Sequence, residues 1–80
     1  MLRIFKQTDL TSEQILERAA GFFGPDGHGL DEKERGSCCV SFEGGGGFVT
    51  VTVSEQAGRR SVEIETREHE YQVKQFLRGL

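Results

Sequence analysis

Eighty residues allow one domain with one core, and a chain this short buries only about 60% of the surface that its unfolded form exposes. The net charge is −3, and acidic and basic residues are interleaved along the chain. Binding to nucleic acids or to anionic membranes needs clustered lysines and arginines, so this pattern argues against both functions. No apolar run reaches the roughly 18 residues of a membrane span, and the first residues lack a signal-peptide core, so we expect one cytoplasmic domain over residues 1–80.

The first helix is the clearest element in the first half of the chain. Residues 2–6 alternate only weakly and are compatible with an edge strand. Thr11 then provides an N-cap, and Gln14 three residues later completes a capping box. Apolar residues follow at helical spacing, and Gly24 suits the left-handed position that often ends a helix. This pattern predicts a helix over residues 11–23, followed by a glycine-rich loop.

Three later segments alternate apolar and polar side chains, which is typical of half-buried strands. The apolar positions are Cys38, Val40 and Phe42, then Val49, Val51 and Val53, then Val62 and Ile64. Turns at Gly45–Gly46 and at Ala57–Gly58 place all of them on one face, whereas a slip by one residue would divide them between two faces. Alanine fits the positive φ of a tight turn less well than glycine, so a longer second loop is the alternative interpretation. Residues 30–35 are mostly charged and allow one further edge strand.

A second helix is predicted over residues 67–78. Thr66 provides a cap, and the glutamates Glu68 and Glu70 suit the positive end of the helix dipole. Its apolar stripe is Val73, Phe76, Leu77 and Leu80. The sheet and both helices each have one apolar side, so the predicted fold class is α+β, a two-layer sandwich. In it, a three- to four-stranded antiparallel meander packs on one face against two helices.

The two cysteines, Cys38 and Cys39, are adjacent in the sequence. Neighbouring side chains of an extended strand point to opposite faces, so we expect the two sulfurs to remain unbonded. Cys38 would then face inward as a small apolar residue, and Cys39 would lie on the other face. No lysine or histidine close in sequence activates Cys39, so we expect an inert thiol.

Candidate metal ligands gather at the glycine-rich edge of the predicted sheet. The meander brings the end of one strand, the start of the next and the start of the second helix to this edge. The donors there are His28, His69, Asp26, Glu43 and Glu68, and nitrogen and oxygen donors of this kind bind divalent metals. Their spacing matches no known metal signature, and a solvated acidic rim is the alternative interpretation. A metal-binding or small-molecule-binding protein is therefore the second of two functional hypotheses.

The first hypothesis concerns the polar face of the sheet. An uncharged strip is predicted there, with an exposed aromatic residue at one end and charges only on the outermost strand and the rim. The strip consists of Phe48, Cys39, Ser41, Thr50 and Thr52. The centres of protein interfaces are depleted in charged residues and enriched in aromatic ones. The alternative is an ordinary solvated sheet face, because serine and threonine are also common on solvated strands. No catalytic set or cofactor motif is recognisable, so we expect a non-enzymatic protein-binding or assembly module that meets a protein partner or a second copy.

Overall fold

The computed structural model describes residues 1–80 as five strands and two helices. The elements are β1 (Leu2–Thr8), α1 (Ser12–Phe23), β2 (Asp31–Arg35), β3 (Cys39–Gly44), β4 (Gly47–Gln56), β5 (Arg59–Arg67) and α2 (Glu70–Arg78). The strands form one antiparallel sheet in the order β1-β5-β4-β3-β2. The α+β class is confirmed, but the sheet has five strands rather than three or four.

The two additional strands are the edges of the sheet. β1 pairs with β5 along its whole length, and Ile4 lies opposite the buried Ile64. β2 pairs with β3 although all its residues are exposed and all its side chains are charged. β2 has no buried side to give it an alternating pattern, and the inward positions of β1 include the polar Lys6 and Thr8, so alternation predicts both strands only weakly. The charges of β2 also discourage another chain from pairing with that edge.

The register of the first hairpin agrees with the sequence. Phe42 lies opposite Val49, and Gly45 and Gly46 form the turn with φ angles of 60° and 81°. Across the next pair of strands, Val51 lies opposite Ile64 as predicted. The polar–apolar alternation therefore determines the pairing of the three central strands, because any shift by one residue would turn apolar side chains to the solvent.

The second hairpin turn has the two residues on which the predicted register depends. Gln56 pairs with Arg59, so Ala57 and Gly58 alone make the turn, with φ angles of 52° and 80°. The predicted two-residue turn is confirmed, and the longer alternative does not form. A left-handed alanine costs about 1 kcal/mol, and the long ladder between β4 and β5 offsets that cost.

Helix α1 begins and ends close to its predicted limits. The Thr11 hydroxyl accepts a hydrogen bond from the Gln14 amide at 3.1 Å, and the Gln14 side chain accepts one from the Thr11 amide at 2.9 Å. The capping box is thus confirmed. Gly24 follows the helix, but its φ of −71° is not left-handed, so the reason predicted for glycine is wrong. Glycine is needed because a Cβ atom would overlap the carbonyl oxygen of Ala20.

Helix α2 begins at Glu70, three residues later than the predicted start at 67. Thr66 is not its cap, because β5 continues through Arg67. Thr66 is fully buried, and its hydroxyl donates a hydrogen bond of 2.7 Å to the carbonyl oxygen of Phe48. The connection to the helix instead passes through Glu68, which has a φ of 77°. Pairing with β4 thus determines where this segment stops being a strand.

One hydrophobic cluster unites the helices and the sheet. Helix α1 lies against β3 and β4, and α2 lies against β5. The ring of Phe23 is 5.7 Å from that of Phe42 and 5.2 Å from that of Phe76, measured between centroids. The fifteen residues of the cluster are Ile15, Leu16, Ala19, Phe23, Leu30, Val40, Phe42, Val49, Val51, Val53, Val62, Ile64, Val73, Phe76 and Leu77. The sheet face that contributes to this cluster is called the inner face below, and the opposite face the outer face.

The two cysteines form a disulfide bond with each other, so the prediction of unbonded, inert thiols is wrong. β3 begins at Cys39, and Cys38 lies in the bend just before it. Alternation therefore does not constrain Cys38, and its side chain is exposed rather than inward. The alternating pattern of β3 thus ends at Cys39, one residue short of the predicted strand.

Candidate functional site

The structure brings the predicted strip together on the outer face. Cys39 lies opposite Thr52 and Ser41 lies opposite Thr50, on adjacent strands, while Phe48 occupies the next outward position of β4. All five side chains are half-buried, and none belongs to the hydrophobic cluster. Strand register, set by the apolar residues of the inner face, is what makes these five residues neighbours.

Phe48 is less exposed than expected. It is half-buried, and the guanidinium carbon of Arg67 lies 5.8 Å from the centroid of its ring. A cation over an aromatic face is stabilised by the quadrupole of the ring. The aromatic end of the strip therefore already carries a positive charge from β5.

The charges of the outer face are not confined to its rim. β5 is an inner strand, because β1 lies outside it, so Glu63 and Glu65 stand beside Thr52 and Thr50. Arg3 of β1 donates a hydrogen bond to the Glu63 carboxylate, and this bond together with the attraction of that charge raises the pKa of Arg3. The prediction that charge lies only on the outermost strand and the rim is wrong, and the strip is a neutral band between two strands that carry charges of both signs.

Sequence reasoning missed one aromatic residue of this face. Phe5 lies on β1 with 62% of its surface exposed. The register places it beside Glu63, in line with Thr52 and Cys39. The alternation of residues 2–8 would have indicated its outward position, but only once that segment was known to pair with β5.

The two histidines among the predicted metal ligands have other contacts. The Nε2–H of His69 donates a hydrogen bond of 2.8 Å to the carbonyl oxygen of Gly44. His28 is exposed, and its ring lies 4.7 Å from that of Phe22, measured between centroids. Asp26, Glu43 and Glu68 are all exposed. No group of three or more histidine, cysteine, aspartate or glutamate side chains is placed so that it could hold a metal ion. The metal-binding hypothesis stays a prediction from the sequence and forms no part of the function proposed below.

Both helices are too short and too polar to cross a membrane. Comparison of the chain with protein-family models, with curated proteins and with solved structures finds no match. The arrangement of side chains on the outer face is therefore the basis for a functional interpretation.

Proposed function

We propose that this chain is a non-enzymatic assembly module that binds a second copy of itself through the outer face. The uncharged strip around Thr50 and Thr52 supports the proposal, since it lies at the middle of the face on the central strand of five. The proposal requires both helices to cover the inner face only. Their joint contribution to one hydrophobic cluster with the inner-face residues supports that arrangement.

The order of charges across the sheet favours a second copy over an unrelated partner. One row of the outer face reads Arg3, Glu65, Thr50, Ser41 and Glu34 from β1 to β2. A two-fold axis parallel to β4, lying between the two outer faces, reverses the strand order of the second copy. β1 then lies over β2 of the second copy, β5 lies over β3, and β4 lies over β4. Arg3 then faces Glu34 of the second copy, Glu65 faces the neutral Ser41, and Thr50 meets Thr50 on the axis.

A neighbouring row shows the same complementarity. It reads Arg67, Phe48 and Glu43 from β5 to β3. The same axis places Arg67 opposite Glu43 of the second copy and stacks the two Phe48 rings over each other. Opposite charges thus meet at both ends of the row, with an aromatic pair between them, and this is the self-complementarity that a two-fold interface needs. It is the single observation that carries the proposal.

The size of the face limits the strength of the association. A strand spacing of about 4.8 Å and a rise of about 3.3 Å per residue give the outer face a footprint of roughly 20 by 23 Å. Two such faces in contact bury roughly 1,000 Å² in total, which is the range of weak and transient complexes. We therefore expect a monomer–dimer equilibrium that depends on protein concentration.

Sedimentation velocity over a wide range of protein concentration tests the proposal. Thr50→Arg should keep the chain monomeric, because two arginines would meet at the axis, while its circular dichroism spectrum stays native. Lys74→Glu changes the charge of an exposed residue of α2 and should associate like the wild type. A wild type that remains monomeric at the highest concentration, or a Thr50→Arg variant that dimerises equally well, would overturn the proposal.

A charge exchange tests the two-fold geometry itself. Arg67→Glu alone should weaken association, because it would set two glutamates against each other across the interface. Combining it with Glu43→Arg restores an opposite pair in reversed order, so the double variant should recover most of the lost affinity. Equal weakening by the double variant would show that these two residues do not meet across a two-fold axis.

A further inference from the structure

The Cys38–Cys39 disulfide lies in an exposed hairpin turn whose backbone has its own hydrogen bonds. The Gly36 amide donates to the Cys39 carbonyl oxygen at 2.8 Å and closes the turn between β2 and β3. The Val53 amide donates to the Cys38 carbonyl oxygen, also at 2.8 Å. Neither bond involves a sulfur atom. The turn is therefore held in place by the backbone ladder on both sides, whether or not the sulfurs are joined.

This disulfide contributes little to the stability of the fold. A structural disulfide stabilises a protein mainly by closing a loop of the unfolded chain, and the effect grows with the length of that loop. Cys38 and Cys39 are already joined by a peptide bond, so their disulfide encloses no intervening residue. Opening it therefore releases less freedom in the unfolded chain than opening any longer loop would, and we expect only a small loss of stability.

We propose that Cys38 and Cys39 form a redox site that a dithiol reductant opens and a disulfide oxidant closes while the domain stays folded. The site is accessible, because Cys38 is exposed in the turn, while Cys39 is half-buried on the outer face beside Thr52. A bond that is exposed and unimportant for stability has the properties of a labile disulfide rather than a structural one. The inference does not depend on the association proposed above.

The chemistry is thiol–disulfide exchange. A thiolate of the dithiol attacks the sulfur of Cys38, the more exposed of the two, and the disulfide bond breaks. Cys39 leaves as a thiolate and takes up a proton. The second thiol of the reductant then attacks the mixed disulfide and releases Cys38, which is also protonated. Two electrons pass to the protein, which gains two thiols, while the reductant becomes a cyclic disulfide.

Native-state reduction tests the site directly. The wild-type chain is incubated with dithiothreitol in the absence of denaturant, at concentrations where it is monomeric, and free thiols are alkylated and counted by mass spectrometry. We expect complete reduction of the folded protein at a rate close to that of a short unstructured peptide with the same Cys-Cys sequence. The thermal midpoints of the oxidised and reduced forms should differ by less than about 4 °C. Removal of dithiothreitol and addition of oxidised glutathione should restore the disulfide.

Single variants identify the sulfur that is attacked. In Cys39→Ser the remaining Cys38 thiol should react with a thiol reagent faster than the Cys39 thiol does in Cys38→Ser, because Cys38 is the more exposed residue. Equal or reversed rates would overturn the assignment of Cys38. Reduction that proceeds only in denaturant, reduction that unfolds the domain, or a wild type whose two thiols stay free under oxidised glutathione would each overturn the redox site.

Discussion

His69 and Gly44 are joined by a hydrogen bond of 2.8 Å from the imidazole Nε2–H to the backbone carbonyl oxygen. The bond ties the start of α2 to the glycine turn between β3 and β4, two elements that are far apart in the chain. The imidazole ring also lies so close to Gly45 that a Cβ atom there would approach its Cε1 atom to 3.1 Å. This histidine therefore holds the helix and the hairpin together.

Replacing His69 with alanine should destabilise the domain by about 1 kcal/mol, the net contribution of one such hydrogen bond. For a domain of this size that corresponds to a fall in the thermal midpoint of about 4–8 °C. His28→Ala removes the other, exposed histidine and should have a smaller effect. Calorimetry on both variants checks the prediction, and equal effects would show that the bond to Gly44 contributes nothing specific.

Thr66→Val removes a buried hydroxyl without changing the volume of the side chain much. The carbonyl oxygen of Phe48 would lose the hydrogen bond that Thr66 donates, so we expect a loss of about 1 kcal/mol in the free energy of unfolding. Thr52→Val makes the same change on the half-buried outer face and should be close to neutral. Urea titration of both variants is the measurement, and a fully stable Thr66→Val protein would contradict the role of the hydroxyl.

Val51→Asp should unfold the domain. Val51 is fully buried between Val40 and Ile64 on the inner face, and no cation is available there to pair with a carboxylate. An unpaired buried polar or charged group costs several kcal/mol, comparable with the whole stability of a domain this small. Thr50→Asn, one residue away on the outer face, should keep a cooperative thermal transition. A cooperative transition of Val51→Asp at the wild-type temperature would show that this residue is not buried.

Two glycines at the end of α1 should respond in opposite ways to substitution by alanine. Gly21 lies at an exposed position of α1, where a Cβ atom would meet nothing within 4 Å, so Gly21→Ala should stabilise the helix by about 1 kcal/mol. A Cβ atom at Gly24 would overlap the Ala20 carbonyl oxygen, so Gly24→Ala should destabilise the domain. Denaturation of the two variants measured side by side gives the sign of each effect, and effects of the same sign would contradict the explanation.

The apolar pattern of the sequence was sufficient to predict the centre of the fold. Val51 and Ile64 could be paired without a structure because the side-chain period of a strand is two, and one buried face permits a single register. The start of α1 was equally predictable, since Thr11 and Gln14 form their capping box within four residues of chain. In both cases the information is local or strictly periodic.

Tertiary structure decided the edges and the candidate site. Residues 31–35 are a strand only because β3 lies beside them, and Thr66 is a strand residue rather than a cap because β4 extends far enough to pair with it. The neighbours of the strip on the outer face follow from the position of β1 beyond β5, which no local pattern specifies. Backbone pairing between distant segments depends on which strand edges remain free after the core forms. A sequence therefore determines its buried periodic segments by itself, whereas its edges, turns and surfaces depend on what the folded core places beside them.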